Sequence, residues 1–333
     1  MKALLSALGE KKLLRTLRRF HGKSGRIVRT FSEDCAVIES DGENYSLLTT
    51  DTQLENVHFK QEYMPPYYLG KRTLKVNLSD ISAMGGKPLY YLVSLGASGA
   101  TPLGTIHEIY RGMRAAAGKH AISLIGGNVT ESPLLFLDIT MIGTVRRSDV
   151  LFRSGAKPGD LIYVTGPLGV SEEGLRLLQK GFRLSRRNSP RMRQAILKHL
   201  DPPDLNQFAR ELGGSRLANC MIDLSDGLAS DLTEICRESK VGATIQLERL
   251  PVAKKRGSKP NSKLIEVALH GGEDYHLLFT VSPEKAARLL RLAARTQTRL
   301  FEIGRIENAS GGIHGIDSQG RRTVLSGGYR HFK

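Results

Sequence analysis

The segment Met221-Ile222-Asp223-Leu224-Ser225-Asp226-Gly227-Leu228 sets two carboxylates and a hydroxyl at the end of an apolar run, directly before a helical pattern. Burying an unpaired carboxylate is expensive, so a strand that ends this way needs partners from elsewhere in the fold. Hard oxygen ligands at a strand end, next to a helix N-terminus, suit Mg²⁺ and phosphate. Asp-Gly is equally the signature of a turn. The segment alone leaves both readings open.

Similar stretches elsewhere favour the first. Glu33-Asp34, Thr49-Thr50-Asp51, Asn77-Leu78-Ser79-Asp80, Gly127-Asn128 and Gly272-Glu273-Asp274 each set an acid or amide beside small residues and against an apolar segment. Singly, each reads as a cap or a turn. Together they belong to segments that converge in a folded core, and such a cluster suits phosphoryl transfer between Mg²⁺-bound phosphates. No P-loop is present, and no kinase-type glycine loop followed by H-R-D. Metals, glycine turns and a few cations must then hold the nucleotide. Arg153, in Arg153-Ser154-Gly155-Ala156-Lys157-Pro158-Gly159-Asp160, reads as a phosphate clamp or as a surface arginine in a linker.

Periodicity predicts strands at Ser46–Asp51, Tyr90–Leu95, Ala121–Ile125, Leu134–Val145, Leu161–Thr165, Ala243–Leu247, Asp274–Val281 and Leu300–Ile306. It predicts helices at Leu69–Met84, Thr105–Gly118, Leu228–Arg237 and Pro283–Arg295, and one from about Ser171. Lys180–Pro203 reads as a basic excursion with a short helix near Met192–Leu200, and Arg256–Lys263 as a loose loop. The polar stretch Arg146–Gly159 is the best boundary. It divides the chain into residues 1–149 and 150–333. Strands and helices interleave without requiring parallel sheets, which gives an α+β, two-domain reading.

At 333 residues the chain is long enough for two cores. No apolar run approaches the roughly 18 residues of a membrane span. Cys35, Cys220 and Cys236 are odd in number and far apart, against a disulfide scaffold or zinc site and for a reducing, cytoplasmic setting. Met1–Phe20 is basic and leucine-rich, as a targeting leader would be. Glu10 and the shared face of Leu13, Leu14 and Leu17 favour a first domain helix. The net charge is +16. Its basic clusters are dispersed and aromatics are only 6%, which argues against nucleic acid and for solvated faces that attract anionic substrates.

These motifs resemble, nearly end to end, those of the thiamine-monophosphate kinase family, in the superfamily of aminoimidazole ribonucleotide synthetase. Ser32–Val37 is similar to that family's G-D-D-x-A-V, Thr50–Phe59 to T-D-x-x-x-E-x-x-H-F, and Asn77–Gly85 to N-L-S-D-L-A-A-M-G. Arg153–Asp160 resembles R-S-G-A-x-P-G-D, Met221–Leu228 I-D-x-S-D-G-L, Gly271–Tyr275 G-G-E-D-Y, and Gly328–Phe332 G-Y-D-H-F. The cysteine tail of the hydrogenase-maturation relative and the N-terminal Cys or selenocysteine of the selenophosphate enzyme are absent.

The resemblance implies mixed sheets packed with helices, and direct transfer of the ATP γ-phosphate to thiamine monophosphate. By position, Asp34, Thr49, Thr50, Asp51, Asp80, Asn128, Asp223 and Asp226 would hold Mg²⁺, with Asp34, Asp80 and Asp226 catalytic. Gly127, Asn128, Arg153 and Ser225 would contact ATP, and His58, Glu273 and Tyr329 the thiamine substrate. It also implies a homodimer joined through N-terminal strands. Three motifs depart from the pattern: Ser32-Glu33 replaces Gly-Asp, Arg330 replaces Asp, and Asn128 stands where G-G-D-T has its Asp. An amide oxygen can ligate Mg²⁺ but brings no charge, so weaker metal binding or slower turnover is expected. The alternatives are a related ATP-dependent enzyme with another phosphate acceptor, and a weakened paralogue that binds nucleotide or thiamine phosphate.

Overall fold

The computed structural model describes residue 5 and residues 9–327, apart from 21, 23, 41 and 254–259. Tyr329, Arg330 and the end of the last motif lie outside the described residues. A first helix, α1 (Glu10–Leu17), precedes β1 (Ile27–Arg29), β2 (Ala36–Glu39) and β3 (Asn44–Leu54). Then come α2 (Pro66–Ala83), β4 (Lys87–Ala97), α3 (Leu103–Ala117), β5 (Ser123–Glu131) and β6 (Phe136–Arg146). These strands form one mixed sheet in the order β1-β2-β3-β6-β4-β5, with only β4 and β5 parallel.

Burial alternates strictly along β6, as it must when one face packs and the other does not. The packed face carries Leu47, Val93, Leu137, Ile139 and Met141 against Leu74, Leu78 and Ile81 of α2 and Ile109 and Met113 of α3. The outer face is open and mixed, with Leu48, Leu92 and Ile142 beside Thr50, Thr140 and Asp138, and the edge strand β5 is exposed along its length.

The second sheet is built from β7 (Leu161–Val164), α4 (Val170–Gln179), α5 (Pro190–Leu200), α6 (Asn206–Gly214) and β8 (Ala218–Asp223). It continues through α7 (Leu228–Ser239), β9 (Gly242–Gln246), α8 (Ser262–His270), β10 (Leu277–Val281), α9 (Ala286–Arg295), β11 (Phe301–Glu307), β12 (Ile313–Ile316) and β13 (Arg322–Val324). The strand order is β13-β12-β9-β11-β7-β10-β8, and only β12–β9 is parallel. Here both faces are covered, so β7 and β10 are unbroken buried runs. Leu228, Leu232, Ile235 and Leu269 pack one face; Phe208, Leu212, Leu289 and Leu292 pack the other.

Several details differ from the sequence reading. α1 forms, but Leu14 and Leu17 of its leucine face are exposed, because none of the described residues covers them with core. β5 runs on through Gly126 and Gly127, where the sequence suggests an end. β10 begins only at Leu277, and the preceding turn holds Glu273 and Tyr275 at φ 65° and 50°. The Asp274 carboxylate accepts the N–H groups of Gly169 and Ser171 and so caps α4. Residues Ser262 and Lys263, read as loop, open α8, whose cap is Asn261 accepting from Leu264 N–H at 2.9 Å.

The supposed excursion is a brace between the two sheets. Leu178, Ile196 and Leu200 of α4 and α5 join the core of the first sheet. Lys71 and Lys75 of α2 both bind Asp201, and Lys75 also donates to the Pro202 carbonyl at 2.7 Å. His120 Nε2 lies 2.8 Å from Asp204, and Asn206 Nδ2 donates to the Gly86 carbonyl at 2.8 Å. Burial opposes ionisation of Asp201, yet its two lysine partners hold its carboxyl below the usual range.

Candidate active site: an acid cluster between the two sheets

Three chain segments meet where the C-terminal half of α2 passes the end of β8. The turn before β2 brings Asp34, α2 brings Asp80, and β8 ends at Asp223. One carboxylate oxygen from each lies within 4.8 Å of the others. The apolar run of β8 buries Asp223 because its neighbours Ile222 and Leu224 belong to the core. Ser79 donates to Asp223 at 2.7 Å, and Thr49 to Asp80. Arg153 donates to Asp34 from its side chain and to Glu33 from its backbone N–H at 2.8 Å. Its side chain therefore points inward and is not that of a surface linker. Burial works against its charge, but Asp34 keeps its pKa raised.

The electrostatics call for a cation. Burial, then Asp34, pushes the Asp223 carboxyl up to about 8. Burial, then Asp51, raises Asp80 well above the usual range. Asp51 is pushed to about 6 by burial, then by Asp138 and Asp226. Glu33 is pushed to about 7, chiefly by burial. Asp34 Oδ2 is buried with no hydrogen-bond partner among the described residues. Oxygen-only donors in this number, one of them orphaned, fit Mg²⁺.

A consequence can be measured. Without divalent cation, the folded protein takes up protons on Asp51, Asp223 and Glu33 that the unfolded chain binds only near pH ~4. Stability should therefore rise as pH falls from about 8 to about 5. Saturating Mg²⁺ should flatten or reverse that trend. Thermal melts across this range, with EDTA and with Mg²⁺, check both.

Not every expected residue joins the cluster. Neighbouring strand residues point to opposite faces, so Thr49 and Asp51 face α2 while the Thr50 hydroxyl faces out and donates to Asp138 at 2.9 Å. Asn128 pairs with Ser94, which pairs with Asp138, which pairs with Thr52. This row lies on the open face, away from Asp34, Asp80 and Asp223. Gly127 has a packing reason of its own: a Cβ there would sit 1.9 Å from the Val93 carbonyl oxygen. Ser225 and Asp226 lie in the turn between β8 and α7, and Asp226 is near enough to Asp51 to raise its pKa.

His58 and Glu273 come together at one end. The Leu54 N–H donates to His58 Nδ1 at 3.0 Å, leaving the ring proton on Nε2. Burial opposes ionisation of Glu273, but Arg72 holds its carboxyl below the usual range.

Asp231 and Arg72 also belong to this region, and Asp138 acts on Asp51 from the open face, although the sequence reading does not pick them out. Asp231 is buried on α7, accepts the Asp226 N–H at 3.3 Å, and is raised well above the usual range by burial and then by Asp226. An acid on the apolar face of a helical pattern is the available signal. Glu55, part of one of the matched motifs, holds local structure together. It accepts the Leu135 N–H at 3.0 Å and Gln61 at 2.8 Å.

Comparison with known proteins agrees with this geometry. Residues 32–145 match the AIR synthase related protein N-terminal domain, and residues 157–317 the C-terminal domain. The chain is 33% identical over 308 residues to a thiamine-monophosphate kinase of Buchnera aphidicola (subsp. Schizaphis graminum), covering 92% of this chain and 93% of that one. It is 34% identical over 304 residues to the Bacillus subtilis thiamine-monophosphate kinase, covering 90% and 92%. Among solved structures, AaThiL complexed with AMPPCP and TMP superposes with a TM-score of 0.83 at 30% identity, covering 99% of each chain. The thiamine-monophosphate kinase of Stenotrophomonas maltophilia K279a gives a TM-score of 0.76 at 32% identity, covering 93% and 95%. With two such domains, this acid cluster and these relatives, the chain belongs to the thiamine-monophosphate kinase family.

Proposed function

We propose that this protein transfers the γ-phosphoryl group of ATP to the phosphate of thiamine monophosphate, giving thiamine diphosphate. The observation that carries the reading is the convergence of Asp34, Asp80 and Asp223, with their carboxylate oxygens within 4.8 Å of one another. Bound Mg²⁺ would neutralise phosphate charge as the transferred group passes in line from one oxygen to the other. Asp34, Asp80 and Asp223 would hold it, with Thr49, Asp51 and Asp226 beside them.

The chain's own residues do the positioning. Ser79 and Thr49 fix Asp223 and Asp80 by hydrogen bonds. Arg153 is restrained by Asp34 and Glu33, and offers its guanidinium to phosphate oxygens at little reorganisation cost. His58 and Glu273 form the acceptor end, and we place Ser225 and Gly127 on the nucleotide side. Residues 1–149 would supply most of the metal ligands, and residues 150–333 bring Arg153, Asp223, Asp226 and Glu273.

We further read the protein as a homodimer. The fully exposed edge strand β5 supports this: Leu124, Ile125 and Val129 are 43%, 53% and 73% exposed. An unpaired apolar edge is one that natural sheets cover. No described helix is long and apolar enough to cross a membrane. The three free, buried cysteines favour a reducing, cytoplasmic setting.

Position 128 gives a smaller test. A carboxylate there would add charge to the Asp138 row, without joining the three-acid cluster of the same protomer. Asn128→Asp is expected to lower the Mg²⁺ concentration for half-maximal rate a few-fold. Unchanged Mg²⁺ dependence and rate would show that position 128 does not serve the metal site.

The function itself is tested by incubating purified protein with ATP, Mg²⁺ and thiamine monophosphate. Thiamine diphosphate should form, and free thiamine should be a poor acceptor. No product above a no-enzyme control would sink the proposal.

A further inference from the structure

Arg72 sits fully buried on α2, about two turns before Asp80. A buried cation is tolerated only when paired and hydrogen-bonded. Its guanidinium donates one nitrogen to Glu273 Oε1 and another to the His199 carbonyl at the end of α5. The guanidinium carbon lies 5.7 Å from the centre of the Tyr275 ring, a cation–π distance. One side chain from the first sheet's helix thus reaches three residues of the second half.

Two of those three are strained. Glu273 and Tyr275 have φ of 65° and 50°, a region that non-glycine residues enter only when their surroundings impose it. Their N–H groups bond to the Ser225 and Leu224 carbonyls at 2.7 and 2.8 Å, which lays this turn along the segment that follows Asp223. The Glu273 side chain is 27% exposed, and its second oxygen lies 3.6 Å from His199 Nδ1. Burial and then Arg72 push His199 down to about 3, so that ring stays neutral and leaves Arg72 as the counter-charge. Tyr63 and His58 also lie close enough to Glu273 to interact with its charge, which sets an acid among aromatic rings.

We propose that Arg72 is a positioning residue for the phosphate acceptor: it aims the Glu273 carboxylate at the cationic thiazolium ring, and acceptor affinity depends on it while nucleotide affinity does not. The inference rests on the acceptor reading above. An acid among aromatic rings recognises a cationic aromatic ring by charge and by π contact. Held at one oxygen by Arg72, the carboxylate keeps its other oxygen in a fixed direction at low entropic cost.

The test is calorimetric titration of thiamine monophosphate, and separately of a non-hydrolysable ATP analogue with Mg²⁺, into wild type, Arg72→Lys, Arg72→Met, Glu273→Gln and the double variant Arg72→Met/Glu273→Gln. Arg72→Met should weaken thiamine monophosphate binding by about tenfold or more, with ATP-analogue affinity within about twofold of wild type. Arg72→Lys, which keeps a cation but cannot span both acceptors from one nitrogen, should fall between. In the Glu273→Gln background, Arg72→Met should add little, because the two act through one carboxylate. Equal loss of both ligands, or losses that add in the double variant, would assign Arg72 a merely structural role and overturn the proposal. If Arg72→Met does not fold, Arg72→Lys decides on the same criteria. A wild type that binds the ATP analogue but not thiamine monophosphate overturns the acceptor reading itself, and is told apart because no variant is involved.

Discussion

Asp223→Asn should cut kcat/KM by about 10³-fold or more while raising the melting temperature of the metal-free protein. The two effects share one cause. Asp223 is buried with Asp34 and Asp80 close by, and burial with Asp34 already pushes its carboxyl up to about 8. An amide of the same shape relieves that repulsion. It keeps an oxygen for the Ser79 hydroxyl and turns an N–H donor towards the remaining acids. The negative charge that holds a cation is then missing, and with it the cation that would neutralise the transferred phosphoryl group. A variant that lost activity and stability together would point to a structural aspartate instead. Melts in EDTA beside steady-state rates in Mg²⁺ separate the two outcomes.

Gly112→Ala should destabilise the protein by about 3 kcal/mol and lower activity with it. Helix propensity alone predicts the opposite sign, a gain of about 1 kcal/mol for replacing glycine inside α3. Packing decides. A Cβ at Gly112 would lie 1.9 Å from the Tyr67 carbonyl oxygen, and one at Gly70 would lie 1.8 Å from the Ile109 carbonyl oxygen. α2 and α3 therefore touch backbone to backbone, and neither side can yield without moving a helix. α2 carries Arg72, Ser79 and Asp80, so a shift of even an ångström reaches the cluster. Chemical denaturation of Gly112→Ala measures the cost. A stabilised variant would show that the helices are free to part.

Much of the site is legible in the sequence because acids interrupt apolar runs. Asp34, Asp80 and Asp223 stand out in this way, and the structure brings all three together. The errors have identifiable physics. Thr49-Thr50-Asp51 reads as one ligand group, yet a strand's two-residue period sends Thr50 to the opposite face, where it meets Asp138. Asp231 escapes notice because a single acid within a helical pattern reads as solvent-exposed. α8 hides behind the basic run at residues 254–259, although Asn261 and the spacing of Ile265 and Leu269 announce it. Arg72 gives no signal at all. Its partners Glu273 and His199 are 201 and 127 residues away, and only the fold brings them near. The strained turn at Glu273 is equally invisible, since Gly271-Gly272 suggests that glycine takes the unusual angles.

If Asp34, Asp80 and Asp223 form one metal–phosphate site, a divalent cation must bind among them. Anomalous diffraction from crystals soaked with Mn²⁺ and a non-hydrolysable ATP analogue would locate it. At least one anomalous peak is expected within coordination distance of all three carboxylates, with the analogue's terminal phosphate beside it. Manganese bound elsewhere, with these three carboxylates bare and the nucleotide in place, would contradict the assignment.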